Sequence, residues 1–248
     1  MKHLIRLFLG TSLLMNPLLA QGPGSLLGVS FAPSKGSVSV SVPMQIIVLL
    51  TVLAVLPAVI MSLTPFLRIT VVLHFLRQAL STQGTPSNQV LIGLALFLTL
   101  VIMQPVVTDM YHQGWEPLEA GQATWQQAWD DGSQPLKTFL LRYVREKDIR
   151  LFLDISHTPA PHDRSGLGLG VLMPAYVLSE LKTGFQIGAI LFLPFLIIDL
   201  VVASVTLSIG MVQLPPVMLS APFKILLFVL VDGWNLVIGS LMRSFYSV

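Results

Sequence analysis

Cysteine is absent from the 248 residues, so neither a disulfide framework nor a thiolate metal site can form. Charge is scarce too. Only 10% of the chain is Asp, Glu, Lys or Arg, and 14 basic against 12 acidic residues leave a net charge of +2, too small to argue for nucleic acid as a partner. A chain this poor in charge cannot clothe a soluble domain. Its 54% hydrophobic content and mean hydropathy of +0.79 place it among membrane proteins. Metal-ligating residues are equally thin: His157, His162 and Asp163 lie close together, but Pro159 and Pro161 between them prevent a single helix face. Gly166, Gly168 and Gly170 alternate without a preceding strand or a P-loop lysine, which gives phosphate binding no support. The reading is therefore no cofactor, no metal and no catalytic residue.

What is present is length in apolar runs. Lys2, His3 and Arg6 precede Leu7–Leu14, and Pro17-Leu18-Leu19-Ala20 reads as a cleavage region, so residues 1–20 are expected to be a signal peptide. Residues 21–43, rich in Gly, Ser and Pro, are expected to be a flexible mature N-terminus. Four apolar stretches follow: Met44–Leu63, continuing as an amphipathic helix past Arg68 and Arg77; Val90–Val107; Phe185–Val212; and Val217–Leu241. The polar Ser81–Gln89 and the Pro215-Pro216 junction suit turns, which predicts two helical hairpins over 44–108 and 184–248. Residues 109–183 read as a small helical domain, with a short helix around Trp125 and Trp129 and an amphipathic one from Leu136 to Val144. Arg68 and Arg77 near the first turn put both hairpin tips on the cytoplasmic side and the central domain in the periplasm.

Asp199 decides how the third stretch is read. A carboxylate near the centre of a span costs about 2.5–3.5 kcal/mol on insertion scales, so it is expected to point at a partner, a pore or a protein interior. A helix running on from Pro174 to about residue 210 exceeds a bilayer's thickness and is expected to kink at Pro194, as Met44–Leu80 is at Pro57 and Pro65. Long kinked helices that bury their polar groups against neighbouring subunits fit this pattern better than simple spans.

Three blocks of sequence carry a resemblance. They are Thr64-Pro-Phe-Leu-Arg-Ile-Thr-Val-Val-Leu73 with Leu76-Arg-Gln-Ala-Leu80; Asn88-Gln-Val-Leu-Ile-Gly-Leu-Ala-Leu-Phe-Leu-Thr99; and the run from Pro174-Ala-Tyr through Leu193-Pro-Phe-Leu-Ile-Ile-Asp-Leu to Asp232-Gly-Trp-Asn235. Nearly all of Gln45–Leu241 resembles the flagellar biosynthesis protein FliP family, a component of the type III protein-export gate. The resemblance implies a channel-forming structural subunit of the bacterial inner membrane and flagellar basal body, not an enzyme. About five copies would form a ring with FliQ and FliR family subunits and other export-gate proteins, and unfolded flagellar substrates would pass through its centre. The family's methionine-rich loop before the Pro-Pro pair is reduced here to Ile209-Gly-Met-Val-Gln-Leu-Pro-Pro216, leaving Gly210, Met211 and Val212 as the pore gasket.

The resemblance also points to Glu180, Arg145 and Lys224 as intersubunit pairing residues, with Glu180 and Lys224 as the pair to test; Asp199, from its place in the apolar span, is expected to be a buried assembly residue. Phe139 and Phe152 are expected to pack the central domain or its interface, and Asp232 to serve as a helix-end hydrogen-bond partner. Two other function classes compete. An ion-coupled transporter would use Asp199 as a proton carrier, and an intramembrane hydrolase would need Asp199 and Asp232 to face each other. Within the export class the alternative is an injectisome gate subunit, against which the signal peptide and the Asp232-Gly-Trp-Asn ending speak.

Overall fold

The computed structural model describes residues 25–26, 29–30, 42–82, 84–159, 161, 163–210 and 215–246. The expected signal peptide, His162, Met211 and Val212 lie outside the described residues. Packing divides the chain into two units, at Val52 and Leu53. The first holds two antiparallel two-residue strands, Ser25–Leu26 and Val29–Ser30, and the first half of helix α1.

Helix α1, Val42–Ser62, carries no charge and is apolar on every side, the composition of a helix meant for lipid or for a protein interior. Its two hydroxyls are satisfied within the helix: Thr51 Oγ1 donates to Ile47 O and Ser62 Oγ to Ala58 O, both at 2.8 Å. Pro57 sits inside the helix without ending it. The break comes instead at residues 63–65, just before α2, so Met44–Leu80 is two helices and only Pro65 marks a boundary.

Within the second unit, α2 (Phe66–Ala79) is the central post. Its buried side chains Ile69, Val72, Leu73 and Leu76 recur at helical spacing, and the helix packs against α3 (Asn88–Met110) and, most extensively, α7 (Leu169–Ser208). Gly184 and Gly188 make that second contact close. A Cβ on Gly188 would stand 2.6 Å from the Phe75 ring, and one on Gly184 would stand 3.1 Å from Val71, so the G-x-x-x-G spacing sets the distance between the two helices.

Helix α3 continues into a π-helical turn, Tyr111–Trp115, and the short α4, Glu116–Glu119. The wide turn brings Gly114 against Gly132 of α5, where a Cβ would meet backbone at 2.8 Å. Thr124 opens α5 (Trp125–Tyr143) with a capping box closed by Gln127. Trp125 and the expected amphipathic segment therefore belong to one helix, unbroken at Pro135, rather than two. Helix α6, Glu146–Ile155, follows after a two-residue break.

Helix α7 runs for 40 residues without interruption, about 60 Å at 1.5 Å per residue. It starts five residues before the expected Pro174 and passes through Pro194, the expected kink, as continuous helix. The fourth apolar stretch is divided. Helix α8 (Pro216–Leu230) and α9 (Gly233–Tyr246) meet at 65°, with Asp232 in the left-handed region at φ 50°. Phe228 lies across Gly233 so closely that a Cβ there would stand 2.2 Å from its ring. Among the described residues, Pro43–Ser62, Asn88–Glu119 and Leu169–Ser208 are long and apolar enough to cross a membrane, and the bent α8–α9 pair qualifies as a fourth span if taken together.

Candidate functional site

Among the described residues the buried charges are gathered into three clasps, each tying α7 to another element. At the first, Arg68 of α2 and Glu180 of α7 form a bidentate ion pair, with Arg68 Nε donating to Glu180 Oε2 at 2.9 Å and Nη2 to Oε1. Both side chains are buried, at 4% and 0% exposure. The remaining guanidinium donor, Nη1, reaches Ser244 Oγ of α9 at 3.2 Å, and the planar cation stacks 4.1 Å from the Phe245 ring. Tyr143 of α5 closes the group, donating its hydroxyl to Phe245 O at 2.5 Å. Four helices thus share one arginine.

The second clasp answers the question posed by Asp199. Lys224 of α8, only 1% exposed, donates from Nζ to Asp199 Oδ2 at 2.6 Å and to Ser81 Oγ at 2.8 Å. Ser220, one helical turn before Lys224, donates to Asp199 Oδ1. Ser81 lies in the turn after α2 with φ 55°, a conformation that non-glycine residues adopt only when something holds them. The lysine therefore fastens the α2–α3 turn, α7 and α8 together.

The third clasp surrounds Ser179. Its hydroxyl accepts from the Arg145 N–H at 3.0 Å and lies 2.6 Å from Asp148 Oδ2, while the Arg145 guanidinium donates to Thr183 Oγ1 at 3.1 Å and Gln186 Oε1 at 2.6 Å. Asp148 is buried in the first turn of α6, where a carboxylate also complements the helix dipole. Arg145 is spent on neutral groups of its own chain.

Several sequence expectations change here. Glu180 and Lys224 do not pair with each other; each has a different partner, Arg68 and Asp199, because they lie 44 positions apart on helices that α2 and its turn separate into two sites. Arg68, counted above as a cytoplasmic flanking charge, is a buried structural residue, so of the two arginines only Arg77 is left to report orientation. Phe139 is buried in the chain's own core, 5.0 Å from the Tyr143 ring, and Phe152 packs on the same core partly buried. Asp232 accepts from Asn235 Nδ2 at 3.1 Å at the start of α9, away from Asp199, and the facing acids of a hydrolase are not assembled. His157 sits in a left-handed turn, and Asp163 takes a hydrogen bond from Ser165 that lowers its pKa below the usual carboxylate value. Gly210 is left-handed at φ 80° and ends α7, as a glycine after a helix does. Ser81, Ser220, Ser179 and Asp148 carried no signal in the sequence, because hydroxyls and a lone surface-type acid acquire meaning only from what folds against them.

The model of the FliP family matches residues 49–241. The chain is 48% identical over 213 residues to the flagellar biosynthetic protein FliP of Pectobacterium carotovorum, covering 86% of this chain and 83% of that one. To the protein of the same name in Bacillus subtilis it is 46% identical over 217 residues, covering 88% and 98%. To that of Cereibacter sphaeroides it is 45% identical over 219 residues, covering 88% and 73%.

Proposed function

Because the chain belongs to the FliP family of the flagellar export apparatus, we propose that it is a channel-forming structural subunit of the export gate, passing unfolded flagellar proteins across the inner membrane. One observation carries the reading. Arg68 is bonded to Glu180 and Lys224 to Asp199 inside the apolar helices, while α3, α7 and α8 turn Phe97, Leu100, Leu200, Phe223 and Leu230 outward, each more than half exposed. Apolar faces on that scale need lipid or further protein, and a ring of about five copies with FliQ and FliR family subunits supplies the protein.

Asp199 speaks for a structural role. A proton carrier needs a carboxylate free to exchange its proton, whereas this one is held by an ammonium and a hydroxyl. Export of flagellar subunits, rather than a virulence-system cargo, is favoured by the flagellar names of the relatives above. In this reading the segment Gly210-Met211-Val212 is the gasket that closes the pore, residues 109–183 face the periplasm and no catalysis is involved. Co-expression with FliQ and FliR family subunits followed by native mass spectrometry tests the proposal. A complex with several copies of this chain is the expected result, and a chain that purifies alone as a monomer while supporting motility overturns it.

A further inference from the structure

Beside the second clasp, α2, the turn after it, the start of α3 and Phe185 of α7 enclose an open cavity of about 980 Å³. Its wall combines two chemistries. Val71, Phe75 and Phe185 are apolar, whereas Thr70, His74, Arg77 and Gln78 form a polar stripe along α2 that continues into Ser81. The wall contains no carboxylate among the described residues. Among the described residues its donors are also largely unspent. Both Arg77 hydrogen bonds leave from Nη1, to Asn88 Oδ1 and Pro86 O, so Nε and Nη2 remain available. Thr70 Oγ1 is buried without a partner. Ser87 and Asn88 at the start of α3 also line the cavity, and Ser87 makes no side-chain bond to the first turn of that helix.

The cavity lies where the charge-free part of α3 begins, at Val90, and so at the level of a membrane's headgroups if α3 spans the bilayer. A basic pocket between apolar helices at that depth matches an anionic phosphate whose attached chains lie along apolar walls. We infer that the α2–α3 cavity binds the phosphate of an anionic phospholipid, with Arg77 as its charge partner, His74 and Gln78 as further hydrogen-bond groups, and Phe75 and Phe185 beside the acyl chains. This site is independent of the channel proposal and stands or falls without it.

The test uses the full chain in detergent, titrated with phosphatidylglycerol or with phosphatidylcholine of the same acyl chains, and reads retained lipid by native mass spectrometry. Phosphatidylglycerol should be retained about tenfold better, the factor that about 1.4 kcal/mol supplies. Arg77→Gln should remove most of that preference, and Lys137→Gln on α5 should leave it intact. His74 is exposed and bonds to no described residue, so His74→Gln keeps the question answerable if Arg77→Gln does not fold, and it should halve the preference or more. Equal retention of the two lipids overturns the inference, as does a preference that survives both Arg77→Gln and His74→Gln. Displacement of phosphatidylglycerol by millimolar inorganic phosphate reassigns the cavity to a free anion. If, in the complex co-expressed with FliQ and FliR family subunits, Arg77→Gln releases a partner subunit while lipid retention is unchanged, the cavity is a protein contact instead.

Discussion

At the residue scale, the ion pairs behave as tethers whose loss is felt through the partner left behind. Arg68 and Glu180 are both out of water, so Glu180→Ala leaves a guanidinium buried without its counter-charge, at a cost of about 3–5 kcal/mol. Glu180→Gln retains the shape and one acceptor, and should cost less. Thermal unfolding in detergent, read by intrinsic fluorescence, is expected to rank wild type above Glu180→Gln above Glu180→Ala. Asp199 is 26% exposed, so its own loss is milder, but Lys224 at 1% is not. Asp199→Ala should therefore destabilise more than the double variant Asp199→Ala with Lys224→Met, which removes both charges. If the double variant is the less stable of the two, the buried ammonium is not the source of the penalty. The sequence marked Asp199, because charge in an apolar run is conspicuous, and the family resemblance marked Glu180 and Lys224. It did not pair them, since partners 112 and 25 positions apart leave no periodic trace.

At the element scale, composition located the apolar helices and misplaced their ends. Pro57, Pro135 and Pro194 all lie inside continuous helices, while the division between α8 and α9 falls at Asp232-Gly233, inside what read as one run. Helix α6 was not foreseen, because ten residues bounded by Arg145 and Ser156 give a short pattern with no proline or glycine to frame it. The Gly184/Gly188 spacing makes a sharp prediction. Gly188→Ala drives a methyl into Phe75 and should cost about 1–3 kcal/mol through forced separation of α2 and α7, and Phe75→Leu in the same chain should recover part of it. Unchanged melting of Gly188→Ala would mean that Phe75 swings away freely. At the other end of α7, replacing Gly210-Met211-Val212 with serines should leave the subunit complex assembled and raise the permeability of the cell membrane to small solutes. An assembled complex in tight membranes would assign the seal to partner subunits.

At the scale of the whole molecule, the family was legible from three sequence blocks, and the all-helical architecture from hydropathy, because both depend on long runs rather than on single contacts. The outward apolar faces predict behaviour in solution. Purified chain moved from detergent into buffer should precipitate, whereas co-expressed subunits should shield part of that surface and lower the detergent needed for solubility, measured by light scattering. Identical detergent dependence with and without the partners would show that lipid, not protein, covers these helices.

The clasps also impose a schedule on biosynthesis. Arg68 leaves the ribosome 112 residues ahead of Glu180, which at about 5–20 residues per second is roughly 6–20 s, and Asp199 precedes Lys224 by 25 residues. Throughout those intervals a charge destined for the interior has no mate, so α2, which carries Arg68, is costly to place in hydrocarbon until α7 emerges. A ribosome stalled between Asp199 and Lys224 would hold a nascent chain with an unneutralised acid in an apolar run.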